Sequence, residues 1–230
     1  MTEQLELSVD TCSDMASICL SREGALLAEL TWHIGRDHSR QLLPAIDGLL
    51  GRLSASKDDL TALFVAIGPG SYAGVRAGVS TAKGLAFALV QPIVGVGRLE
   101  IEAYGWRAAG GPIVAVHRAG RSELAWAVYE TEPQWREAAA PRLSPREELA
   151  AQLPKGALVT GELEDETAAE LTERGQRVVT GAATIRRAAL LAELGWQRLS
   201  AGDTHDPKSL VPLYLRDPAI GPQRQSGPKK

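Results

Sequence analysis

The sequence predicts an α/β fold of two tandem ribonuclease-H-like lobes, the actin-like ATPase arrangement, with mixed sheets covered by helices. Three observations predict it. Continuous apolar runs such as "TALFVAI" (61–67) and "PIVGVG" (92–97) suit strands buried on both faces of a sheet with parallel pairing. Each half of the chain reads in one order, a three-stranded meander followed by helix, strand, helix, strand, helix, although no sequence repeat is visible. The 230 residues, 44% of them hydrophobic, are enough for a core, either as one large domain or as two lobes of about 100 residues each, and so admit this arrangement. The lobes are placed at 1–104 and 105–216. The segment "DPAIGPQRQSGPKK" (217–230) has proline, glycine and basic residues without apolar periodicity and is expected to be a disordered tail.

The first meander is "LELSVD" (5–10), "MASICLS" (15–21) and "ALLAELTW" (25–32), with "SREG" as the turn between the last two. In "SRQLLPAIDGLLGRL" (39–53), Leu42, Leu43, Ile46, Leu49, Leu50 and Leu53 fall at helical spacing, and Pro44 sits early enough to be tolerated. Strand 61–67 follows, then the small-residue helix "AGVRAGVSTAKGLAFAL" (73–89) and strand 92–97. In the second series "PIVAV" (112–116) and "ELAWAVYE" (123–130) are strands, and a less regular third covers "REAAAPRL". The segment "SPREELAAQL" (144–153) has the pattern of a capping box, with Ser144 as cap, Pro145 at the first helical position and Glu147 three residues on. "GALVTG" (156–161) is a strand, "EDETAAELTERG" (164–175) a helix, "QRVVTG" a strand and "ATIRRAALLAELGWQRLSAG" (183–202) a long amphipathic helix.

Bulk properties remove several classes. A net charge of −3 gives no general attraction to nucleic acid. No apolar run reaches the roughly 20 residues of a membrane helix, and "MTEQLELSVD" lacks the pattern of a secretory leader. Two cysteines, Cys12 and Cys19, with no Cys-x-x-Cys, fit a reducing compartment, and the protein is placed in the cytoplasm.

The stretch "IGPGSYAGVR" carries the main functional question, because a glycine-rich turn between strand and helix often holds phosphate. Its glycines, Gly68, Gly70 and Gly74, are spaced Gly-x-Gly-x-x-x-Gly, which is neither a P-loop nor a dinucleotide fingerprint, and Lys83 lies two turns into the helix. Glu100 follows the next strand, as a ribose-binding acid would, but three meander strands precede the motif, whereas the dinucleotide fold opens with it. A tandem-lobe ATPase needs a phosphate turn after the first strand of each lobe, with an acid to organise magnesium. Here the first turn, "DTCSDM", offers Asp10, Thr11 and Ser13 without a glycine, and the second, "VHRAGRSE", puts His117 and Arg118 where an acid belongs. Asp10, Thr11 and Ser13 are the only cofactor-binding candidates, and no cofactor is expected. The favoured reading of Gly68, Pro69, Gly70, Ser71, Gly74 and Arg76 is a structural loop. The glycines permit a sharp turn, Ser71 caps the helix, and small helix faces admit another backbone, from this chain or a partner.

Other constellations point to no chemistry. His33, His38, His117 and His205 form neither HExxH nor HxxxH, so no metal site is expected. Ser71 is not in a Gly-x-Ser-x-Gly context, and no histidine is assigned to it. The carboxylate pairs Asp58/Asp59 and Glu147/Glu148 are read as solvated or helix-start residues. The tryptophans at 32, 106, 126, 135 and 196 are scattered, giving no stacking platform for RNA, and the basic tail residues Arg224, Lys229 and Lys230 lack a folded basic face.

At "GPGSYAGVRAGVSTAKGLAFAL" the chain resembles the TsaB (YeaZ) family, with its GPGS-aromatic-x-G-x-R core and AKGLA helix. "LSVDTCSDMASICL", "DHSRQLLPAID" and "VPLYLR" (211–216) resemble the family's opening, its first helix and its close. The second lobe departs from the family's Asp-Ala-Arg-x-Gly-Glu-Val-Tyr, reading "RAGRSELA", with Arg118 at the aspartate and Gly120 at the arginine. The resemblance implies a noncatalytic partner of the paralogue TsaD in threonylcarbamoyl transfer to the adenosine beside the anticodon of tRNAs reading ANN codons. It implies that the ATPase TsaE joins through the complex, that tRNA is met indirectly, and that no membrane is involved. The docking face is expected on helices 39–53 and 73–89, at Leu42, Leu43, Ile46, Leu50, Val75, Val79, Ala82 and Ala86, and is expected to be covered by homodimerisation when the chain is alone. The alternatives are an actin-like-fold small-molecule kinase or nucleotide hydrolase, and a glycoprotease-like peptidase using Ser71.

Overall fold

A computed structural model describes residues 4–35 and 37–216; the tail expected at 217–230 lies outside the described residues. The first series runs β1 (Leu5–Asp10), β2 (Met15–Arg22), β3 (Ala25–His33), α1 (His38–Arg52), β4 (Leu60–Ala66), α2 (Tyr72–Leu89), β5 (Ile93–Val96) and α3 (Arg98–Tyr104). The second runs β6 (Ile113–Arg118), β7 (Glu123–Glu130), β8 (Arg136–Pro145), α4 (Arg146–Gln152), β9 (Leu158–Gly161), α5 (Asp165–Glu173), β10 (Arg177–Val178) and α6 (Ala188–Ser200).

Among the described residues the strands form two five-stranded sheets of one topology, β3-β2-β1-β4-β5 and β8-β7-β6-β9-β10. In each, the first strand is antiparallel to the second and parallel to the fourth. This is the ribonuclease-H-like order, found twice, as the element pattern predicts. The central strand β1 is buried along its whole length because helices cover both of its faces. Strand register shows which helix covers which face. Ser8 pairs with Phe64 and Val9 with Val65, so Phe64 and Val9 point to opposite sides. A Cβ on Gly78 of α2 would meet Val9, and one on Gly195 of α6 would meet Phe64. Thus α2 lies on one face of the first sheet and α6, from the far end of the chain, on the other.

The second sheet is sorted by the same alternation. Val114, Val116, Trp126 and Val128 join Leu149 of α4 and Leu171 of α5 in one cluster. Ile113, Ala115, Ala127 and Tyr129 join Leu99 and Ala103 of α3 in another. All strands before 104 belong to the first sheet and all those after 105 to the second. The last helix of each series crosses over, α3 to the second sheet and α6 to the first, so the two helices meet between the lobes.

Two local expectations are corrected. Ser144 does not cap α4. It is the penultimate residue of β8, buried, and its hydroxyl accepts the indole Nε1–H of Trp126 at 3.0 Å, while Pro145 stands at the cap without a side-chain bond. A buried indole N–H needs an acceptor, and that requirement overrides the capping pattern. The helix expected from 183 starts only at Ala188. Its first amides are taken by side chains of the first sheet, Ala188 N–H by Ser17 Oγ and Ala189 N–H by Glu29 Oε1, both at 2.9 Å. These acceptors fix the helix start.

Candidate functional site: the cleft between the lobes

Four segments far apart in the chain converge where the ends of β1 and β6 face each other. They are the turn after β1, the start of α1, the glycine loop before α2 and the stretch 211–216. A Cβ on Gly70 would lie 2.2 Å from the Cys12 carbonyl oxygen, one on Gly74 2.2 Å from that of Thr11, and one on Gly78 2.3 Å from Thr11 Oγ1. Glycine is therefore required at Gly70 and Gly74, where the backbone of the β1 turn lies directly on the loop and the first turn of α2, while Gly78 makes room for the Thr11 hydroxyl. Ser71 Oγ accepts the Gly74 amide at 3.1 Å, capping α2 as the sequence predicts, and the Ser71 amide donates to the Cys12 carbonyl at 2.9 Å. Gly68 has φ +101°, with Leu213 O close above it, and precedes a cis bond to Pro69. His38 is buried at the same point, its Cε1 3.1 Å from a Cβ built on Gly74. Burial, slightly opposed by Asp14, lowers its pKa.

The segment after α6 straps the cleft. The Leu213 amide donates to Ile67 O at 2.7 Å and Lys83 Nζ to Leu210 O at 2.7 Å, so this lysine holds a carbonyl of its own chain. Tyr214 packs on Tyr72 with ring centroids 5.4 Å apart, Arg76 donates to the Tyr72 hydroxyl, and Arg216 pairs with Glu123 of the second lobe. Beneath the strap is a cleft of about 900 Å³ lined by Ser13, Ser71 and Tyr72 from one lobe and His117, Arg118, Gly120 and Glu162 from the other.

The three cofactor-binding candidates are all engaged within the chain. Asp10 is 1% exposed and accepts Arg186 Nε at 2.9 Å and the Cys12 amide at 2.9 Å. Burial alone would raise its pKa, but the charge and hydrogen bond of Arg186 outweigh it and hold the pKa below the usual range. Ser13 Oγ accepts Arg186 Nη2 at 2.9 Å. Thr11 Oγ1 donates to the Gly74 carbonyl at 2.7 Å. The fold implies magnesium and nucleotide phosphates between the lobes, and these residues do not fit them. The acid that would organise the metal faces a guanidinium, and the opposite turn offers Arg118 in place of a second acid. The two thiols are buried and free, and burial pushes that of Cys19 up to about 12.

Arg186 belongs to a larger buried network that sequence reasoning missed. Its Nη1 lies 3.6 Å from Glu102 Oε2. Arg98, fully buried, lies 3.9 Å from the same oxygen through Nε, 2.5 Å from Glu162 Oε1 through Nη2 and 2.5 Å from His117 Nδ1 through Nη1. His117 Nδ1 is also 2.8 Å from Glu162 Oε2, and one ring nitrogen can serve only one of these neighbours at a time. Burial, reinforced by Arg98, lowers the His117 pKa. Burial raises that of Glu102 despite both arginines. Glu162 is held far below the usual range, because hydrogen bonding to His117 and the charge of Arg98 overcome its burial. No motif marks these residues, and the only available signal is an arginine opening α3 and another just before α6.

Of the residues expected to dock a partner, Leu42, Ile46, Leu50, Val75, Val79, Ala82 and Ala86 are in the chain's own core. Leu43 alone is exposed, at 53%. The apolar surface of α1, α2 and the residue after them is instead Leu43, Tyr72, Phe87 and Val90. The periodic positions face the sheet, and the surplus ones face out. The glycines Gly48, Gly51 and Gly84 on these helices have open space where a Cβ would stand.

Residues 32–173 match the family model described as TsaD, tRNA N6-adenosine threonylcarbamoyltransferase. The chain is 37% identical over 124 residues to the tRNA threonylcarbamoyladenosine biosynthesis protein TsaB of Bacillus subtilis and 34% identical over 126 residues to that of Escherichia coli, each match covering 54% of both chains. The match thus spans about half the length of these curated relatives. Its backbone superposes on YeaZ from Pseudomonas aeruginosa with a TM-score of 0.75 at 27% identity, covering 91% of this chain and all of that one. The ethanolamine utilization protein EutJ from Carboxydothermus hydrogenoformans, at 14% identity and a TM-score of 0.51 over 83% of this chain and 90% of that one, shares the fold alone.

Proposed function

The chain belongs to the TsaD family, in its TsaB (YeaZ) group, and from that premise we propose that it is a noncatalytic subunit in tRNA threonylcarbamoyladenosine biosynthesis. Its partner is a TsaD paralogue, which carries out the transfer to tRNA. TsaE joins through that complex, and tRNA is reached through the paralogue. The observation that carries the noncatalytic reading is the engagement of Asp10 and Ser13 by Arg186. A protein that kept the two-lobed fold and lost the chemistry has a use as a binding surface. The same observation speaks against the kinase or nucleotide hydrolase. Ser71 is committed to capping α2 and bonds to no histidine among the described residues, which speaks against the peptidase.

The docking face we propose is the outer side of α1 and α2. Leu43 and Phe87 supply exposed apolar area, and the open glycines Gly48, Gly51 and Gly84 let a partner helix approach closely. A second copy covers this face when the chain is alone, and the paralogue displaces it.

Size-exclusion chromatography with light scattering tests this on the chain alone and mixed with TsaD from the same source. The expected result is a homodimer that exchanges into a mixed complex, with both assemblies lost in Leu43→Asp/Phe87→Asp. A mixed complex of unchanged affinity in that variant removes the docking face. No complex at tens of micromolar, with or without nucleotide, removes the partner reading.

A further inference from the structure

We propose that Arg186 is a built-in cation standing in for the metal and nucleotide that the fold would hold between its lobes, and that it keeps the chain at one interlobe angle without a ligand. In a two-lobed ATPase the lobes are joined by an exchangeable ligand, and its loss lets them move. Here the joining group is a side chain of the protein itself, held by hydrogen bonds and ion pairs. Arg186 directs Nε to Asp10 and Nη2 to Ser13, both on the first sheet's side of the cleft, and Nη1 toward Glu102 of α3, which packs on the second sheet. Glu102 passes the connection to Arg98, and Arg98 to Glu162 and His117 at the ends of second-sheet strands.

The positions of these residues follow from the helix crossover. Arg186 stands just before α6, the second-series helix that covers the first sheet. Arg98 opens α3, the first-series helix that covers the second sheet, and its amide donates to Gly68 O of the glycine loop at 2.7 Å. Each lobe thus contributes an arginine at the entry to the helix it exchanges. With Arg186 at 8%, Asp10 at 1%, Glu102 at 4% and Arg98 at 0% exposure, these ion pairs are shielded from salt and water. Any lobe rotation that breaks them leaves an uncompensated buried charge, so intermediate angles are disfavoured. The lock holds whether or not a paralogue docks on α1 and α2, and it fails separately from that reading.

The test is a distance distribution between spin labels on the full chain, at Arg52→Cys of α1 and Glu173→Cys of α5. Both positions are exposed, whereas Cys12 and Cys19 are buried. The otherwise native chain gives one narrow distance that millimolar MgATP does not move. Arg186→Met widens the distribution by about twofold or more. Because that variant leaves Asp10 buried without its charged partner, Asp10→Asn/Arg186→Met is measured beside it, with the same widening and a native circular dichroism spectrum expected. A folded variant with the native width overturns the proposal, as does a native chain whose distance shifts with MgATP. If neither variant folds, the nucleotide arm on the native chain decides.

Discussion

Strands β1 and β6 hold the same place in sheets of the same order, and each ends in a charged residue, yet the two ends are built in opposite ways. Asp10 is buried under the glycine loop and paired with Arg186 at 2.9 Å, 176 residues away. Arg118 is exposed, and its pairing with Glu164 at 3.5 Å joins side chains 55% and 39% exposed. The first turn is packed by backbone against backbone, while in the second Ala119 is half-buried at the cleft and Gly120 and Arg121 are exposed. One topology therefore carries a closed end and an open one. Substitutions should be costly at the closed end and nearly silent at the open one.

The largest expected effect is at the buried pair. Arg186→Met should destabilise by about 3–5 kcal/mol because it strands a buried carboxylate, whereas Arg118→Met should stay within about 0.5 kcal/mol. Chemical denaturation of both variants measures the contrast, and equal losses would break it. Next is the loop. Gly74→Val forces a side chain onto the Thr11 carbonyl and should cost about 3 kcal/mol or more, while Gly120→Ala, with open space around it, should cost about 1 kcal/mol for its positive φ of +96°. Two serines sharpen the comparison further. Ser144→Ala should cost about 1–3 kcal/mol and alter Trp126 fluorescence, because the buried indole loses its acceptor. Ser71→Ala should cost about 1 kcal/mol, the ordinary value of a helix cap, without a fluorescence change.

The smallest effect is in pH dependence. His117 binds fewer protons folded than unfolded, so stability falls as pH drops through its ordinary value of 6.5, by a fraction of one proton's linkage. His117→Gln should make that limb of a stability–pH curve shallower, leaving the share of His38, whose pKa burial lowers in the same direction. Asp10 and Glu162 have depressed folded pKa values, so their contribution is complete above the ordinary carboxylate range and lost as pH falls through the folded values. Glu102, with a raised pKa, runs the other way, its contribution being greatest in acid. A loss of stability confined to alkaline pH would contradict all but the last of these assignments.

The glycine loop was legible in the sequence, because glycines at Gly68, Gly70 and Gly74 beside a capping serine state a steric need wherever they occur. The pairing of Leu42 and Leu43 was not. Both fit an apolar stripe, and only the packed sheet shows that the first is 1% and the second 53% exposed. Ser144 carried a true capping pattern that lost to a buried indole 18 residues away.

The order of strands and helices, their repetition into two lobes and the close backbone approach at the glycine loop can all be read from residue order. These follow from periodicity, side-chain size and dihedral freedom, which act over a few residues. That α3 and α6 change sheets, that Arg186 reaches Asp10, and which apolar positions remain outside emerge with the packed fold. An amphipathic helix specifies that one face be buried but not against which sheet. A charged side chain gives no local sign of the partner that folding will bring to it.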